Sequence, residues 1–462
     1  MILLQRLVAL YHPIRTAAIR TTLPRSMSGN NNNNVIYDLY RGHPNMDMLP
    51  QPEMKKIMTA LLKEDDDDGE DSWRKYLNYG ANEGDHRLID ALRSFLRART
   101  VDDDLGDTTG DDGDYSNTAT DFFITTGVSH GLELLCSTLT SAGDEIWIER
   151  PTYFLCTKIF TNHGLTVKSL PMIQPGKIDI DHLFQMVERD GIQPPKMMYV
   201  IPSYHNPCGT SMSLEERKKL TSFAVKYNVL VVCDEVYHLL DFERGSISSS
   251  RPAGMVRFNK FALPMDQGGQ ETDDNTPRGC CISVSSFTKI FAPGVRLGWI
   301  EAPPFVIKRL ARYGYINSQG GNAPFMGRIL THALESGLLD TYLDKLRLEY
   351  KERHEMMCRI LQRDPRLDIY SINEPRGGGY FIWVGLGGVD ANDFLSYSLD
   401  HFGVKFMAGQ RCNPLPDEND ATSAAIRSCV RLCFADLNRD ELRQGTETFV
   451  NAYQSYVLTI EA

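Results

Sequence analysis

The residues best suited to chemistry are a lysine and an arginine that share one proline- and glycine-containing turn. Lys289 follows Ser286, and Arg296 comes just after Pro293 and Gly294. Lysine amines form Schiff bases with carbonyl compounds, and a guanidinium beside a hydroxyl can hold a phosphate. The spacing therefore predicts a covalent aldehyde site with a phosphate anchor. A lysine in a turn is also commonly a solvated surface charge, so the choice between a reactive lysine and a surface lysine depends on the other motifs of the chain.

Polar residues follow a series of strands predicted in the middle of the chain. The runs at 197–202 and 229–233 are continuously apolar, which is typical of parallel strands, and helical spacing at 215–227 joins them into a βαβ unit. A third strand, at 281–285, ends just before Ser286. Ligands bind beyond the carboxyl ends of such strands, where the sequence places an amide, a carboxylate and a phenol: Asn206, Asp234 and Tyr237. We expect these groups to share one rim with Lys289.

A strand, a glycine turn and a helix are predicted over 122–133. Unpaired N–H groups at a helix N-terminus accept phosphate, and Val128 and Ser129 would supply them, with His130 close by. One glycine between a strand and a helix is also common in α/β proteins without such a site. A further strand, at 146–149, leads to Tyr153, whose ring can lie on a pyridine ring or simply pack under a loop.

Arg431 lies in an alternating strand, on the face opposite Val430 and Leu432. Its planar guanidinium matches a carboxylate, although a surface ion pair would have the same sequence pattern. Near the other end of the chain, Gly42 belongs to a Gly-His-Pro segment that is either a plain turn or a place where backbone approaches a ligand.

Taken together, these segments resemble the class I/II aminotransferases, the fold-type I group of pyridoxal-phosphate enzymes. The resemblance covers roughly residues 35–455, and the similar subgroup contains aminoadipate/kynurenine and aromatic aminotransferases. The motifs that carry it stand in family order: Asn206-Pro207-Cys208-Gly209, Asp234-Glu235-Val236-Tyr237, Ser286-x-x-Lys289 with Arg296, and Arg431. Thr288 stands where the family more often has serine or alanine.

The resemblance implies a role for each candidate residue toward pyridoxal 5′-phosphate. Lys289 would hold the cofactor as a Schiff base and then transfer a proton, while Asp234 would pair with the ring nitrogen. The phenolic oxygen would be bound by Tyr237 and Asn206, and the phosphate by Ser286, Arg296, Val128 and Ser129. Tyr153 would stack on the ring, and Gly42, Asn206 and Arg431 would bind the substrate, Arg431 at its carboxylate. Tyr79 would reach the cofactor of a neighbouring subunit, which implies a homodimer.

The leading hypothesis is an aminotransferase that moves an amino group between an L-amino acid, aminoadipate-like, aromatic or large aliphatic, and a 2-oxo acid such as 2-oxoglutarate. A carbon–sulfur β-lyase on the same fold is an alternative, because the same cofactor residues serve several reactions. A non-catalytic regulatory module that binds the cofactor is a third, although about 35 residues ahead of the fold leave little room for a DNA-binding domain.

Composition limits the partners of the chain. A net charge of −11 in 462 residues argues against nonspecific binding of nucleic acid, which needs clustered lysine and arginine. No apolar run is long enough to cross a bilayer, so we expect a soluble protein. The ten cysteines lack metal-type spacing, so we expect them to be reduced and mostly buried, and the acidic runs suggest no metal site.

The predicted fold is α/β, with a mostly parallel central sheet in a large domain and a smaller α+β domain. Residues 1–34 contain arginine but no acidic residue, which indicates either a mitochondrial targeting segment or a disordered extension, in a mitochondrial or cytoplasmic protein. Residues 35–70 are assigned to an N-terminal arm and part of the small domain, and 71–337 to the large domain, with insertions near 102–121 and 243–279. Residues 338–462 would form a linking helix and the rest of the small domain.

Overall fold

Seven strands of the large domain lie side by side in one sheet. A computed structural model describes residues 37–63, 73–99, 120–242, 254–259, 279–371, 377–416 and 420–462. The predicted targeting segment, the fold boundary at residue 35 and almost all of both predicted insertions lie outside these residues. The strands are β1 (Tyr37–Asp38), β2 (Asp121–Thr125), β3 (Glu145–Ile148), β4 (Thr166–Ser169), β5 (Met172–Gln174), β6 (Lys177–Ile178), β7 (Met197–Val200), β8 (Leu230–Asp234), β9 (Cys280–Ser286), β10 (Gly298–Ala302), β11 (Asp368–Ile369), β12 (Phe381–Gly385), β13 (Val404–Lys405), β14 (Met407–Ala408) and β15 (Cys429–Cys433).

Helices cover the sheets and connect their strands. The α-helices are α1 (Gln51–Leu61), α2 (Trp73–Tyr76), α3 (His86–Arg97), α4 (Val128–Leu139), α5 (Cys156–Asn162), α6 (Ile180–Glu188), α7 (Leu214–Lys226), α8 (Phe287–Ile290), α9 (Pro304–Ala311), α10 (Gly314–Gln319), α11 (Pro324–Glu335), α12 (Leu338–Leu361), α13 (Ala391–Phe402), α14 (Ala421–Arg427) and α15 (Arg439–Glu461). The start of α7 is fixed by a capping box in which Ser213 and Glu216 exchange side-chain and backbone hydrogen bonds.

The central sheet has the strand order β2-β10-β9-β8-β7-β3-β4, and β10 alone runs antiparallel to its neighbours. Its interior strands are buried on both faces, because successive side chains point into different apolar clusters. Ile146 and Ile148 pack on one side and Trp147 on the other. Because β7, β8 and β9 are parallel neighbours, their carboxyl ends meet at one edge of the sheet, as the sequence predicts.

The small domain is built on a second, antiparallel sheet of order β11-β12-β15-β14. The helix α12, which begins at residue 338 as predicted for the linking helix, packs against α15 beside this sheet. The N-terminal arm joins the same unit, because β1 pairs in parallel with β13, Tyr37 opposite Val404 and Asp38 opposite Lys405. The arm and the small domain therefore form one structural unit, which can provide one wall of a site.

All ten cysteines are free thiols buried in the protein, as predicted. In the described ranges no helix is both long enough and apolar enough to cross a membrane.

Candidate active site

One end of the site is a cluster of donors around Gly127. This glycine caps the N-terminus of α4 with a φ of 109°, a conformation that side chains rarely adopt. A Cβ placed on it would lie 3.3 Å from Nη2 of Arg296 and 3.8 Å from Oγ of Ser286. Free helix N–H groups, a hydroxyl and a guanidinium thus surround a space kept open by the missing side chain, and this set of donors fits a phosphate.

Lys289 projects into the cavity from α8, directly after β9. Its Nζ donates to the carbonyl oxygen of Gly42 at 2.7 Å and lies 5.1 Å from the centre of the Tyr380 ring. The pKa of the amine is lowered to about 8, chiefly by burial and also by the charge of Arg431, while Cys433 and Asp234 oppose the shift. The amine is therefore partly neutral near physiological pH, the form in which it can act as a nucleophile or a base.

Asp234 ends β8 and is 5% exposed. Tyr199 donates its hydroxyl to Oδ2 at 2.8 Å, and the backbone N–H of Val236 donates to Oδ1 at 3.3 Å. Burial raises the pKa of the carboxyl to about 6, while these two hydrogen bonds and the charge of Lys289 oppose the rise. At pH 7 the group is mostly a buried carboxylate, which suits a protonated ring nitrogen.

Arg431 reaches the cavity from β15, while Val430 and Leu432 on either side of it pack into the core, as the alternation predicts. Its Nη1 donates to Oδ1 of Asn206 at 2.9 Å, and its Nη2 donates to the carbonyl oxygen of Tyr40 at 2.8 Å. Its Nε is buried and has no hydrogen-bond partner among the described residues. An unsatisfied buried donor on a cation is costly, so this edge of the guanidinium fits an anionic ligand.

Tyr237 and Asn206 lie beside the lysine and the arginine. Burial raises the pKa of the Tyr237 phenol well above its ordinary value, so it stays protonated and available as a hydrogen-bond donor. Its ring packs against Phe381 with the centres 5.8 Å apart. Asn206 is anchored through its carbonyl oxygen by Arg431, which leaves its amide N–H groups for another partner.

The arm and the small domain form the opposite wall of a cavity of about 510 Å³. Gly42 is needed for their close approach, because a Cβ there would lie 2.7 Å from Cζ of Phe381. Arg41 and Lys405 also line this wall and share one carboxylate. Oδ2 of Asp38 lies 3.5 Å from Nε of Arg41 and 3.8 Å from Nζ of Lys405. The wall therefore carries more positive than negative charge.

The structure brings nearly all the predicted residues to this one cavity. Its lining includes Gly42, Val128, Ser129, Tyr153, Asn206, Asp234, Tyr237, Ser286, Lys289, Arg296 and Arg431. His130 is not in the lining, and its Nδ1 instead accepts the backbone N–H of Thr126 at 3.0 Å. Tyr79 is also outside the lining and is 82% exposed, so within one chain it does not reach the site.

Sequence reasoning missed the residues that close the cavity from the side of the arm and the small domain. Tyr40, Arg41 and His43 belong to the arm, and Lys405 and Met407 come from strands of the small domain. Burial and the charges of Lys289 and Arg41 lower the pKa of His43, which favours the neutral ring. The one sequence feature that could have indicated any of these residues is the position of Arg41 and His43 on either side of the predicted site residue Gly42.

Comparison with known proteins agrees with this arrangement. A profile of the family described as aminotransferase class I and II matches residues 48–449. An uncharacterised protein of Saccharomyces cerevisiae is 28% identical over 454 residues, covering 91% of this chain and 98% of that protein. Aromatic-amino-acid aminotransferase 1 of Thermococcus litoralis is 26% identical over 372 residues, covering 80% of this chain and 78% of that one. The multiple substrate aminotransferase of Thermococcus profundus has a crystal structure that covers 93% of each chain with a TM-score of 0.72 at 23% identity. This last likeness confirms the predicted fold.

Proposed function

The chain belongs to the class I and II aminotransferase family, whose members use pyridoxal phosphate. We propose here which amino acids and 2-oxo acids are its substrates. It moves an amino group between an L-amino acid with an acidic, aromatic or large aliphatic side chain and a 2-oxo acid such as 2-oxoglutarate. The observation that carries the proposal is the composition of one cavity, where Lys289, Asp234 and Arg431 meet a wall that is both cationic and aromatic.

The two kinds of side chain on that wall support two kinds of substrate. Arg41 and Lys405, which both lie within 4 Å of the single carboxylate of Asp38, suit a second carboxylate at the far end of an amino acid or 2-oxo acid. Tyr40, Phe154 and Leu155 line the same cavity and suit an aromatic or aliphatic side chain. The Thermococcus litoralis relative is named for aromatic amino acids, which agrees with the second group.

The residues of the site divide the work between binding and proton transfer. Pyridoxal phosphate, when bound, supplies an aldehyde carbon for the amino group and an electron-withdrawing ring. The Arg431 guanidinium binds the substrate carboxylate and so orients the bond from the α-carbon to its hydrogen. Nζ of Lys289, with its pKa near 8, takes the α-proton and later gives a proton back. Asp234 would accept a hydrogen bond from the ring nitrogen and so keep that nitrogen protonated, and Tyr237 and Asn206 would hold the ring by hydrogen bonds.

A panel of amino donors tested with 2-oxoglutarate and pyruvate decides the substrate class. The purified protein, saturated with pyridoxal phosphate, is expected to form a new amino acid only when a 2-oxo acid is present, with the highest kcat/KM for acidic or aromatic donors. Lys289→Ala is the control. Release of ammonia and pyruvate from a cysteine-type donor without any 2-oxo acid would instead favour the β-lyase.

We also propose that the enzyme is a homodimer in which Tyr79 completes the partner's site. The side chain is 82% exposed, and Tyr315 and Phe325 are further large side chains left exposed by the chain, at 56% and 40%. Mixing Tyr79→Phe and Lys289→Ala subunits tests this arrangement. If Tyr79 acts across the interface, each mixed dimer contains one site with both native residues and regains wild-type affinity for pyridoxal phosphate at that site. Equal, weakened affinity in all mixed dimers would contradict it.

A further inference from the structure

Tyr199 lies directly behind the carboxylate of the site. It belongs to β7, is 0% exposed, and is absent from the cavity lining, whereas Asp234 on the neighbouring strand β8 faces the cavity. The Tyr199 hydroxyl donates to Oδ2 of Asp234 at 2.8 Å, and its ring packs edge-on against Phe160 with the centres 5.5 Å apart. The phenol thus contacts the acid from the side that a ligand does not reach.

The direction of this hydrogen bond is fixed by the environment. Burial, and then the charge of Asp234, raise the pKa of Tyr199 well above its ordinary value, so the phenol keeps its proton and donates it. A hydrogen bond to a charged group is stronger than one between neutral groups, and it stabilises the ionised form of the acceptor. Burial alone favours the protonated form of Asp234, so the phenol opposes the main force acting on that carboxyl.

The other charged or titratable groups that act on Asp234 lie on several elements. They are Lys289, His205, Tyr153, Cys156 and Tyr237. Lys289 and His205 also favour the carboxylate through their charge interaction with Asp234. Of all these groups, Tyr199 is the one whose side chain donates a hydrogen bond to Asp234.

We propose that Tyr199 is a positioning residue that keeps the Asp234 carboxylate ionised and oriented toward the cavity, and thereby determines how tightly pyridoxal phosphate is held. The inference rests on the role of Asp234 toward the ring nitrogen given under the proposed function. Tyr199 itself touches neither cofactor nor substrate and acts only through Asp234.

The affinity of the cofactor-free protein for pyridoxal phosphate tests the proposal through a double-mutant cycle. Tyr199→Phe removes one oxygen atom and is expected to weaken binding about tenfold, the size of one hydrogen bond to a charged group. In the Asp234→Asn background the same change is expected to cost less than twofold. Tyr453→Phe, which removes a buried hydroxyl that donates to the carbonyl oxygen of Leu386 at 3.0 Å, is the control for losing any buried tyrosine hydroxyl. An unchanged affinity in Tyr199→Phe, or an equal loss in both backgrounds, would overturn the proposal.

A second measurement needs neither cofactor nor turnover. The pKa of Asp234 is raised on folding, from an ordinary value of 3.8 to about 6, so the folded state binds a proton more readily than the unfolded state, and stability falls as the pH rises through that window. Without the phenol the pKa rises further, and the fall extends toward pH 7. The difference in Tm between wild type and Tyr199→Phe is therefore expected to grow between pH 5 and 7.5, and for Tyr453→Phe to stay constant. Parallel curves for wild type and Tyr199→Phe would contradict the proposal.

Should Tyr199→Phe fail to fold, 3-fluorotyrosine at position 199 keeps the ring and the hydroxyl but makes it a more acidic donor. The stability transition of the cofactor-free protein is then expected to move to lower pH, opposite in sign to the phenylalanine variant. No shift, or a shift to higher pH, would overturn the proposal. Because these readouts use the cofactor-free protein, they are unaffected if the enzyme turns out to use other substrates.

Discussion

The two walls of the cavity are built in different ways. On one wall, Asn206, Asp234 and Lys289 follow successive parallel strands of a single buried sheet, and their positions are set by strand ends. On the other wall, Gly42 comes from the arm, Lys405 from β13, with which the arm strand β1 pairs, and Arg431 from the second sheet. We will call these the sheet wall and the arm wall.

This difference suggests separate roles, with the reaction chemistry on the sheet wall and substrate selectivity on the arm wall. The sheet wall holds the groups that fit the cofactor. Asp234 and Ser286 bond to groups of the same buried sheet region, whereas Lys289 and Asn206 also bond across the cavity to Gly42 and Arg431. The arm wall presents the positive charges of Arg41 and Lys405 and the side chains of Tyr40 and Met407. Substitutions on the arm wall can therefore change which substrate binds without altering the reaction, which is how one fold serves many substrates.

The largest effect is expected on the sheet wall, from Lys289→Ala. Loss of the amine removes both the nucleophile and the proton carrier, so kcat for transamination should fall by about 10⁴-fold or more with every substrate. Steady-state kinetics with several donors measure the loss, and Lys158→Ala, which changes an exposed lysine, is the control. A variant that still turned over amino acids at a comparable rate through bound cofactor would remove Lys289 from the mechanism.

The second-largest effect is expected on the arm wall, from Arg431→Ala. The arginine lies on the arm wall, but its proposed role is to bind the α-carboxylate that every substrate has, so kcat/KM should fall about 100-fold, or ~3 kcal/mol, for acidic and aromatic donors alike. Kinetics with a matched pair of donors show whether the loss is uniform. A loss confined to acidic donors would mean that Arg431 reads the side chain rather than the α-carboxylate.

The two walls were also unequally predictable from sequence. Continuous apolar strands predict their own positions, and parallel connections bring their carboxyl ends together, so Asn206, Asp234 and Lys289 could be grouped in advance. Arg431 could be oriented because β15 alternates. Lys405 and Met407 lie in strands of two residues, which have no detectable period. The hydroxyl of Tyr199 was missed because a tyrosine in an apolar run is counted as a core residue.

The selectivity of the arm wall is tested by removing Arg41 and Lys405, the two cations that share Asp38. Arg41 and Lys405 are about half-exposed, which limits the strength of their interactions, so the double variant Arg41→Ala/Lys405→Ala should lose about tenfold in kcat/KM for acidic donors and 2-oxoglutarate. Aromatic donors should change by less than twofold. Asp38→Asn, which removes the shared carboxylate, is a matched variant with the opposite sign and should favour acidic donors. Equal losses for acidic and aromatic donors would show that this wall does not select by charge.

The smallest effect links the two walls through the pKa of Lys289. Burial, with the charge of Arg431, lowers that pKa to about 8. Because only the neutral amine is nucleophilic, the rate at which cofactor-free protein captures pyridoxal phosphate should rise about fivefold between pH 7 and pH 8 and level off above pH 9. In Arg431→Ala the neighbouring positive charge is gone, so the lysine pKa rises and the same curve moves to higher pH. Stopped-flow absorbance gives both curves. A flat profile between pH 7 and pH 9 would contradict a lysine pKa of about 8. An unshifted curve in Arg431→Ala would mean that the two walls act independently, and a shift to lower pH would contradict the expected effect of the Arg431 charge.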